Sequence, residues 1–299
     1  MLKCDFVMNA RQFFTLAAAF TISLLITAGC TGTLDPANTS AVTCQPPVQA
    51  TPSYAAVSIN ATPVQYAEVN GIKLAYREFG SGEPLLLIPG FGSTMDRWNA
   101  TFIGILASEY HVYTYDHRGM GYSGDDNATP TIPLYADDAG RLIQALGYDS
   151  MHIYGVSMGS STSQQLAIDH PERVRKLVLD SSSYSIRLPE TQKLFGLITT
   201  YATDPGTANG ISEEAAANLA WNGSWDGLSG IDKDVMLVVG TKDDLTPDAV
   251  SIRMAGQING SWLVRFRDVP HAGSSYVPVE YGENALVFLG TDESPLNRR

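Results

Sequence analysis

The chain has 299 residues, with 19 Lys and Arg against 31 Asp and Glu and a formal net charge of −12. That length suits one large or two small domains, and a hydrophobic share of 44% is enough for a buried core, which excludes intrinsic disorder for the body. The acidic balance argues against nucleic acid as a partner, since that affinity rests on Lys and Arg neutralising phosphates, and three cysteines cannot build a disulfide framework.

Lys3 and Arg11 give the amino terminus a positive start, and residues 13–28 form an uncharged, mostly apolar run ending at Thr27-Ala28-Gly29-Cys30. That order predicts a secretory signal over residues 1–29. The closing Gly29-Cys30 resembles a lipoprotein signal, which implies lipid attachment at Cys30, although Thr27 stands where such signals carry an aliphatic residue. Residues 12–34 hold no charge and are long enough for a retained membrane anchor; plain secretion is the third reading. All three place the body outside the cytoplasm, and the first two let it touch a membrane through this terminus only. Residues 30–63, rich in Thr, Ser, Ala and Pro, read as a disordered tether, and Cys44 within it has no intramolecular partner once Cys4 leaves with the signal and Cys30 is acylated. Asn38, Asn60, Asn99, Asn127, Asn222 and Asn259 each head an Asn-x-Ser/Thr triplet, an excess that predicts N-glycosylation of an exported chain.

Residues 64–290 form the expected domain, followed by a tail over 291–299. Runs 64–69 and 72–79 alternate around Asn70-Gly71, the strongest short hairpin signal. The runs 85–89, 112–116, 152–156, 174–180, 235–240 and 262–267 are short, β-rich and nearly continuously apolar, as strands buried on both faces are. Helical stretches such as 132–146 and 158–170 lie between them. The alternation predicts an α/β fold, a mostly parallel twisted sheet covered by helices, with chemistry at the carboxyl ends of the strands.

The residues just after each strand are therefore the informative ones. Gly155-Val156-Ser157-Met158-Gly159 closes the run 152–156. In that spacing the serine takes a strained turn between strand and helix, the glycines let the two pass closely, and the hydroxyl stands at the head of a helix dipole. Gly90-Phe91-Gly92-Ser93 comes after 85–89, where a sharp turn aims a backbone N–H beside Ser157. The N–H groups of Phe91 and Met158 are the expected oxyanion donors. Asp243 comes after 235–240, and His271, the last histidine, after 262–267. Ser157, His271 and Asp243 thus supply a nucleophile, a base and the carboxylate that orients it.

These motifs resemble the α/β-hydrolase family over nearly the whole body. Asp116-His117-Arg118-Gly119-Met120-Gly121-Tyr122-Ser123 matches the family's D-x-R-G-x-G-x-S loop, in which Asp116 and Arg118 are structural, and Phe288-Leu289 stands at the family's usual distance after His271. Pro89 replaces a common histidine, and Pro270 replaces the glycine that usually precedes the catalytic histidine. The resemblance makes Asp180 an alternative acid, because some relatives carry it after the preceding strand. Asp137 and Asp138 fall within a predicted helix and are expected to face solvent or a loop. His111, His117, His152 and His170 read as packing or surface groups.

The resemblance also implies a cap insertion over about 184–232, whose Phe195, Leu197, Ile198, Tyr201, Trp221 and Trp225 either line an acyl pocket or pack the cap on the sheet. The implied activity is hydrolysis of carboxylic esters of small-molecule substrates through an acyl-enzyme, with no cofactor and no metal. A serine nucleophile disfavours dehalogenase and epoxide hydrolase chemistry, for which relatives use aspartate. A lactonase, a perhydrolase-like enzyme, a C–C bond hydrolase or an aminopeptidase would share the same triad. A low-turnover ligand-binding surface protein is the reading from another class.

Overall fold

The computed structural model describes residues 54–126 and 128–291. The chain divides into two units, Met1–Thr51 and Pro52–Arg299, and the described residues belong to the second. The signal over 1–29, Cys30, Asn38, Cys44, Asn127 and residues 292–299 lie outside them. Among the described residues no helix is long and apolar enough to cross a membrane.

Eight strands form one sheet in the order β1-β2-β4-β3-β5-β6-β7-β8. Strands β1 (Gln65–Val69) and β2 (Ile72–Gly80) make the expected hairpin, with Val69 opposite Ile72 across a two-residue turn. Asn70 and Gly71 both have positive φ there, 48° and 78°, the backbone twist such a turn requires. Strand β2 runs antiparallel to β4 (Tyr110–Tyr115). The remaining pairs are parallel, through β3 (Glu83–Ile88), β5 (Met151–Val156), β6 (Val174–Asp180), β7 (Asp234–Gly240) and β8 (Trp262–Phe266). This is the α/β fold expected from the sequence. One expectation changes: β8 pairs with β7 only and is partly exposed, because it is an edge strand.

Alternate residues of the central strands feed two cores. Leu86 and Ile88 point into one, Leu85 and Leu87 into the other, and all four are fully buried. Helices α2 (Ile132–Ala145), α3 (Met158–Asp169) and α7 (Asp248–Gln257) cover the first face, and α1 (Ala100–Leu106) and α8 (Pro278–Leu289) the second. Helix α2 starts where Thr131 Oγ1 accepts the Leu134 N–H at 3.1 Å, and α1 where the Asn99 side chain accepts the N–H groups of Thr101 and Phe102. Helix α8 ends on the buried Lys176, whose ammonium donates to the carbonyls of Leu289 at 3.1 Å and Thr291 at 2.5 Å.

Residues 54–63, expected as the end of a tether, instead dock on the body. Ile59 is buried in the second core beside Tyr54 and Val57, the Val57 N–H donates to the Ala100 carbonyl, and the Arg77 guanidinium donates to the Thr62 carbonyl. Apolar residues in a Thr/Ala/Pro background carry no periodicity that would reveal this.

Asp138 is also corrected: it is buried, not facing solvent. The Arg118 guanidinium donates to its two oxygens at 2.7 and 2.8 Å, and to Asp126 at 2.9 Å. Asp116 accepts the N–H groups of Met95 and Tyr122 at 2.7 and 2.8 Å, which ties the segment after β3 to the loop after β4. Removing one partner of a buried pair strands the other's charge. Arg118→Ala is therefore expected to lower unfolding stability by about 3–5 kcal/mol, as read by urea denaturation, whereas loss of under about 1 kcal/mol would show that the pair is not stabilising.

Candidate active site

Ser157 follows β5 and heads α3 in a conformation rare for a side-chain-bearing residue, φ 56° and ψ −118°. The turn holds because the chain around it cannot move away. The Ser157 N–H donates to the Asp180 carbonyl at 2.9 Å, and Ser157's carbonyl accepts the Ser160 N–H at 2.9 Å. A Cβ on Gly155 would overlap Ser163 and Gly159, and one on Gly159 would overlap the carbonyl oxygens of Ile88 and Pro89. Both glycines are thus forced by close approach, and the strain they permit lifts the Ser157 hydroxyl clear of the sheet.

The imidazole of His271 stands over that hydroxyl. Ser157 Oγ lies 2.9 Å from Nε2, and Nδ1 lies 2.9 and 3.0 Å from the two carboxylate oxygens of Asp243. Gly240, the last residue of β7, lets the following loop come close: a Cβ there would overlap the Val269 carbonyl. The Lys242 N–H donates to that carbonyl at 3.0 Å, which holds the loop bearing Pro270 and His271 against the strand end. Pro270 stands where a glycine was expected, and Ala272, just after the histidine, takes a left-handed conformation at φ 58°.

Asp243 is buried and fully engaged. Its Oδ1 accepts the N–H groups of Leu245 and Thr246 at 3.0 and 2.8 Å, and the Thr246 hydroxyl lies 2.8 Å from Oδ2. Burial pushes its pKa up, but His271 and Thr246 outweigh that and hold the carboxyl below the usual range. Asp180, the alternative acid, is not bonded to the imidazole. Its carboxylate accepts hydroxyls of Tyr154 at 2.9 Å, Ser274 at 2.7 Å and Ser181 at 2.9 Å, and burial pushes its pKa up to about 6 despite them. Asp180 props the loop after β8, while Asp243 meets the ring. Asp244 faces outward, paired with Lys193.

Phe91 and Met158, the residues expected to supply the oxyanion donors, both border the space beside Ser157. The next residue along the first turn makes a contact that sequence reading missed. The Gly92 N–H donates at 2.6 Å to Glu214 Oε2, on cap helix α5 (Asn209–Ala220). Glu214 is fully buried, with its Oε1 unpaired. Burial pushes its pKa up to about 8; the Gly92 bond opposes the shift and Asp116 adds to it. Glu213-Glu214 in a helix reads as a solvated face, so no local signal betrays the buried one.

The cap also contains α4 (Gln192–Thr203) and α6 (Trp225–Leu228). Of the six apolar residues expected to line a pocket or pack the cap, Ile198 borders the Ser157 cavity, joined there by Ile186 and Leu194. Trp221 packs beside Ile132 and Met158, Tyr201 sets its ring edge-on to Phe91, and Trp225 lies against Tyr184. Among the glycosylation candidates Asn60, Asn222 and Asn259 are exposed, whereas the Asn99 amide caps α1 and donates to the Ser275 carbonyl at 3.2 Å. Among the described residues no group of three or more His, Cys, Asp or Glu is placed to hold a metal.

Glu214 generates a pH prediction with a definite sign. Its value is raised from 4.5 to about 8, so the folded chain keeps a proton that the unfolded chain releases over that interval, and stability falls as pH rises through it. Glu214→Gln keeps an acceptor for Gly92 and removes the titration. Compared with the native chain in denaturation series from about pH 5 to 9, it is expected to lose less stability on the alkaline side. Equal losses in the two proteins would contradict the buried, proton-holding role.

Residues 83–198 match the family model for the alpha/beta hydrolase fold. A protein named carbamate hydrolase RutD from Azorhizobium caulinodans is 36% identical over 114 residues, 38% of this chain and 43% of that protein. One named non-heme bromoperoxidase BpoC from Mycobacterium tuberculosis is 31% identical over 152 residues, 50% of this chain and 57% of that one. The chain thus spans about half the length of the curated relatives it matches. A hydrolase of known structure from Pseudomonas aeruginosa PA01 superposes with a TM-score of 0.66 at 24% identity, over 77% of this chain and 100% of that one. The family match includes Ser157 and stops short of Asp243 and His271, which the fold brings to it. The chain has the α/β-hydrolase fold, and its residues 83–198 match the model of that family.

Proposed function

We propose that this protein is an exported serine hydrolase that cleaves carboxylic esters through an acyl-enzyme. The observation that carries the reading is the relay from Ser157 Oγ through both nitrogens of His271 to Asp243, each link 2.9 Å, at a strained strand-to-helix turn. Its parts match nucleophilic acyl transfer. His271 Nε2 takes the hydroxyl proton as Ser157 Oγ bonds to the ester carbonyl carbon, and the carbonyl electrons move onto oxygen. The N–H groups of Phe91 and Met158 receive that oxyanion, each worth on the order of 10²–10³ in rate. Collapse of the intermediate breaks the bond to the alkoxide, which leaves with the proton from His271. A water then gives its proton to Nε2 and attacks the acyl carbon, releasing the acid and restoring Ser157. Asp243 keeps the Nδ1 proton in place and offsets the positive charge that His271 carries between these steps.

Ser157→Ala is expected to lower kcat on p-nitrophenyl esters by roughly 10⁴–10⁶ with the thermal unfolding curve unchanged, and residual activity within about tenfold of the native would refute the mechanism. Asp243→Asn is expected to cost about 10⁴, more than Asp180→Asn; the reverse order would move the acid to Asp180.

Export extends the proposal to the amino terminus on sequence grounds: the apolar run ending at Gly29-Cys30, and exposed glycosylation triplets at Asn60, Asn222 and Asn259. Cys30→Ser is expected to shift the protein from the membrane to the soluble fraction after expression in a lipoprotein-processing host. A full-length, membrane-bound product from that variant would instead establish an uncleaved anchor.

A further inference from the structure

Two cavities meet at Ser157. One, narrow and about 280 Å³ with its open part included, lies beneath the cap with a mixed lining, Ile186, Leu194 and Ile198 together with Ser161, Asn218 and Thr246. The other, about 540 Å³ including its open mouth, is bordered by His271, Ser93, Arg97, Trp98 and Ser275. His271 borders the second and not the first. That asymmetry fixes the polarity of an ester, given the acyl-enzyme reading on which this inference rests. The imidazolium delivers its proton to the leaving oxygen, so the alcohol half lies on the side of His271. The acyl half stays bonded to Ser157 and takes the smaller space, whose narrowness suits a short acyl group.

Arg97 gives the alcohol side a charge preference. Among the described residues it is the only Lys or Arg side chain with neither a carboxylate nor a carbonyl partner: the others form ion pairs, as Arg253 does with Glu190, or donate to carbonyls, as Lys176 and Arg187 do. In a chain of net charge −12, an unpaired cation is conspicuous. Its neighbour Asp96 does not neutralise it, because Asp96 accepts from Arg77 at 3.0 Å. One exposed guanidinium complements one carboxylate, which it binds through two parallel hydrogen bonds, whereas a dianionic phosphate calls for a second cation that the cleft lacks.

We propose that the substrates are short-acyl esters of alcohols bearing a carboxylate, with the acyl group under the cap and the carboxylate at Arg97. The test compares acetate esters of 3-hydroxybenzoate and 3-hydroxybenzamide, matched in shape and differing in charge, with the full chain. The native enzyme favours the anionic ester in kcat/KM. Arg97→Gln lowers the anionic-to-neutral ratio about fivefold, the size of an ion pair at a partly exposed site, and Arg97→Glu lowers it further. Raising salt to about 0.5 M reduces the native ratio toward the Arg97→Gln value. Because both esters are measured on each variant, partial misfolding cancels in the ratio. A ratio indifferent to Arg97 and to salt overturns the assignment while leaving ester hydrolysis intact. A native enzyme that cleaves neither ester removes the hydrolase reading, and this inference with it. Faster cleavage of octanoyl than of acetyl esters overturns the placement of the acyl group under the cap.

Discussion

Everything at the site depends on how closely helix α3 can approach the end of β5. Gly155 and Gly159 leave no room for a Cβ, so helix and strand meet almost in contact, and the turn between them drives Ser157 into a positive-φ conformation. Backbone strain of this kind costs on the order of 1–3 kcal/mol and persists only when the surroundings over-determine it. Here they do: the Ser157 N–H is anchored to β6, and the carbonyls of Ile88 and Pro89, at the end of β3, lie against Gly159. Of the four other non-glycine residues with positive φ, Asn70 sits in the hairpin turn, Ser181 and Asp268 stand just after β6 and β8, and Ala272 follows His271. Apart from that hairpin turn, these positions lie on the loops after β5, β6 and β8 that carry the site.

Buried polar groups hold that convergence in register. Asp180 gathers three hydroxyls from β5, β6 and the loop after His271, and Thr246 links Asp243 to the carbonyl of Ser181, so the loops after β6, β7 and β8 form one hydrogen-bonded unit. On the other side, Asp116 and the Arg118–Asp138 pair fix the loops around β4, and Glu214 ties the cap to the Gly90–Gly92 turn. Apart from the unpaired Oε1 of Glu214, these groups find their partners within the site's own framework, which holds the nucleophile, base and acid in place.

Much of this was legible in the sequence because it is local. Asn70-Gly71 requires a hairpin turn, the six apolar runs mark strands, and residues immediately after a parallel strand share one edge of the sheet, so Ser157, Asp243 and His271 converge from positions 114 and 28 residues apart. What stayed hidden depends on tertiary partners. Choosing between Asp243 and Asp180 requires knowing which carboxylate the hydroxyls claim. Asp138 looks solvated until Arg118 reaches it across 20 residues, and Glu214 until Gly92 reaches it across 122. The docking of residues 54–63 likewise rests on a groove beside α1 that only the folded body creates.

The most direct test of the account is covalent. A fluorophosphonate reacts with a serine only where a base removes the hydroxyl proton and donors receive the developing oxyanion. Peptide mass spectrometry of the labelled protein is predicted to find the adduct on Ser157, absent in Ser157→Ala and strongly slowed in His271→Ala. An adduct on another residue, or a Ser157 that stays unmodified while the native protein is folded, would contradict it.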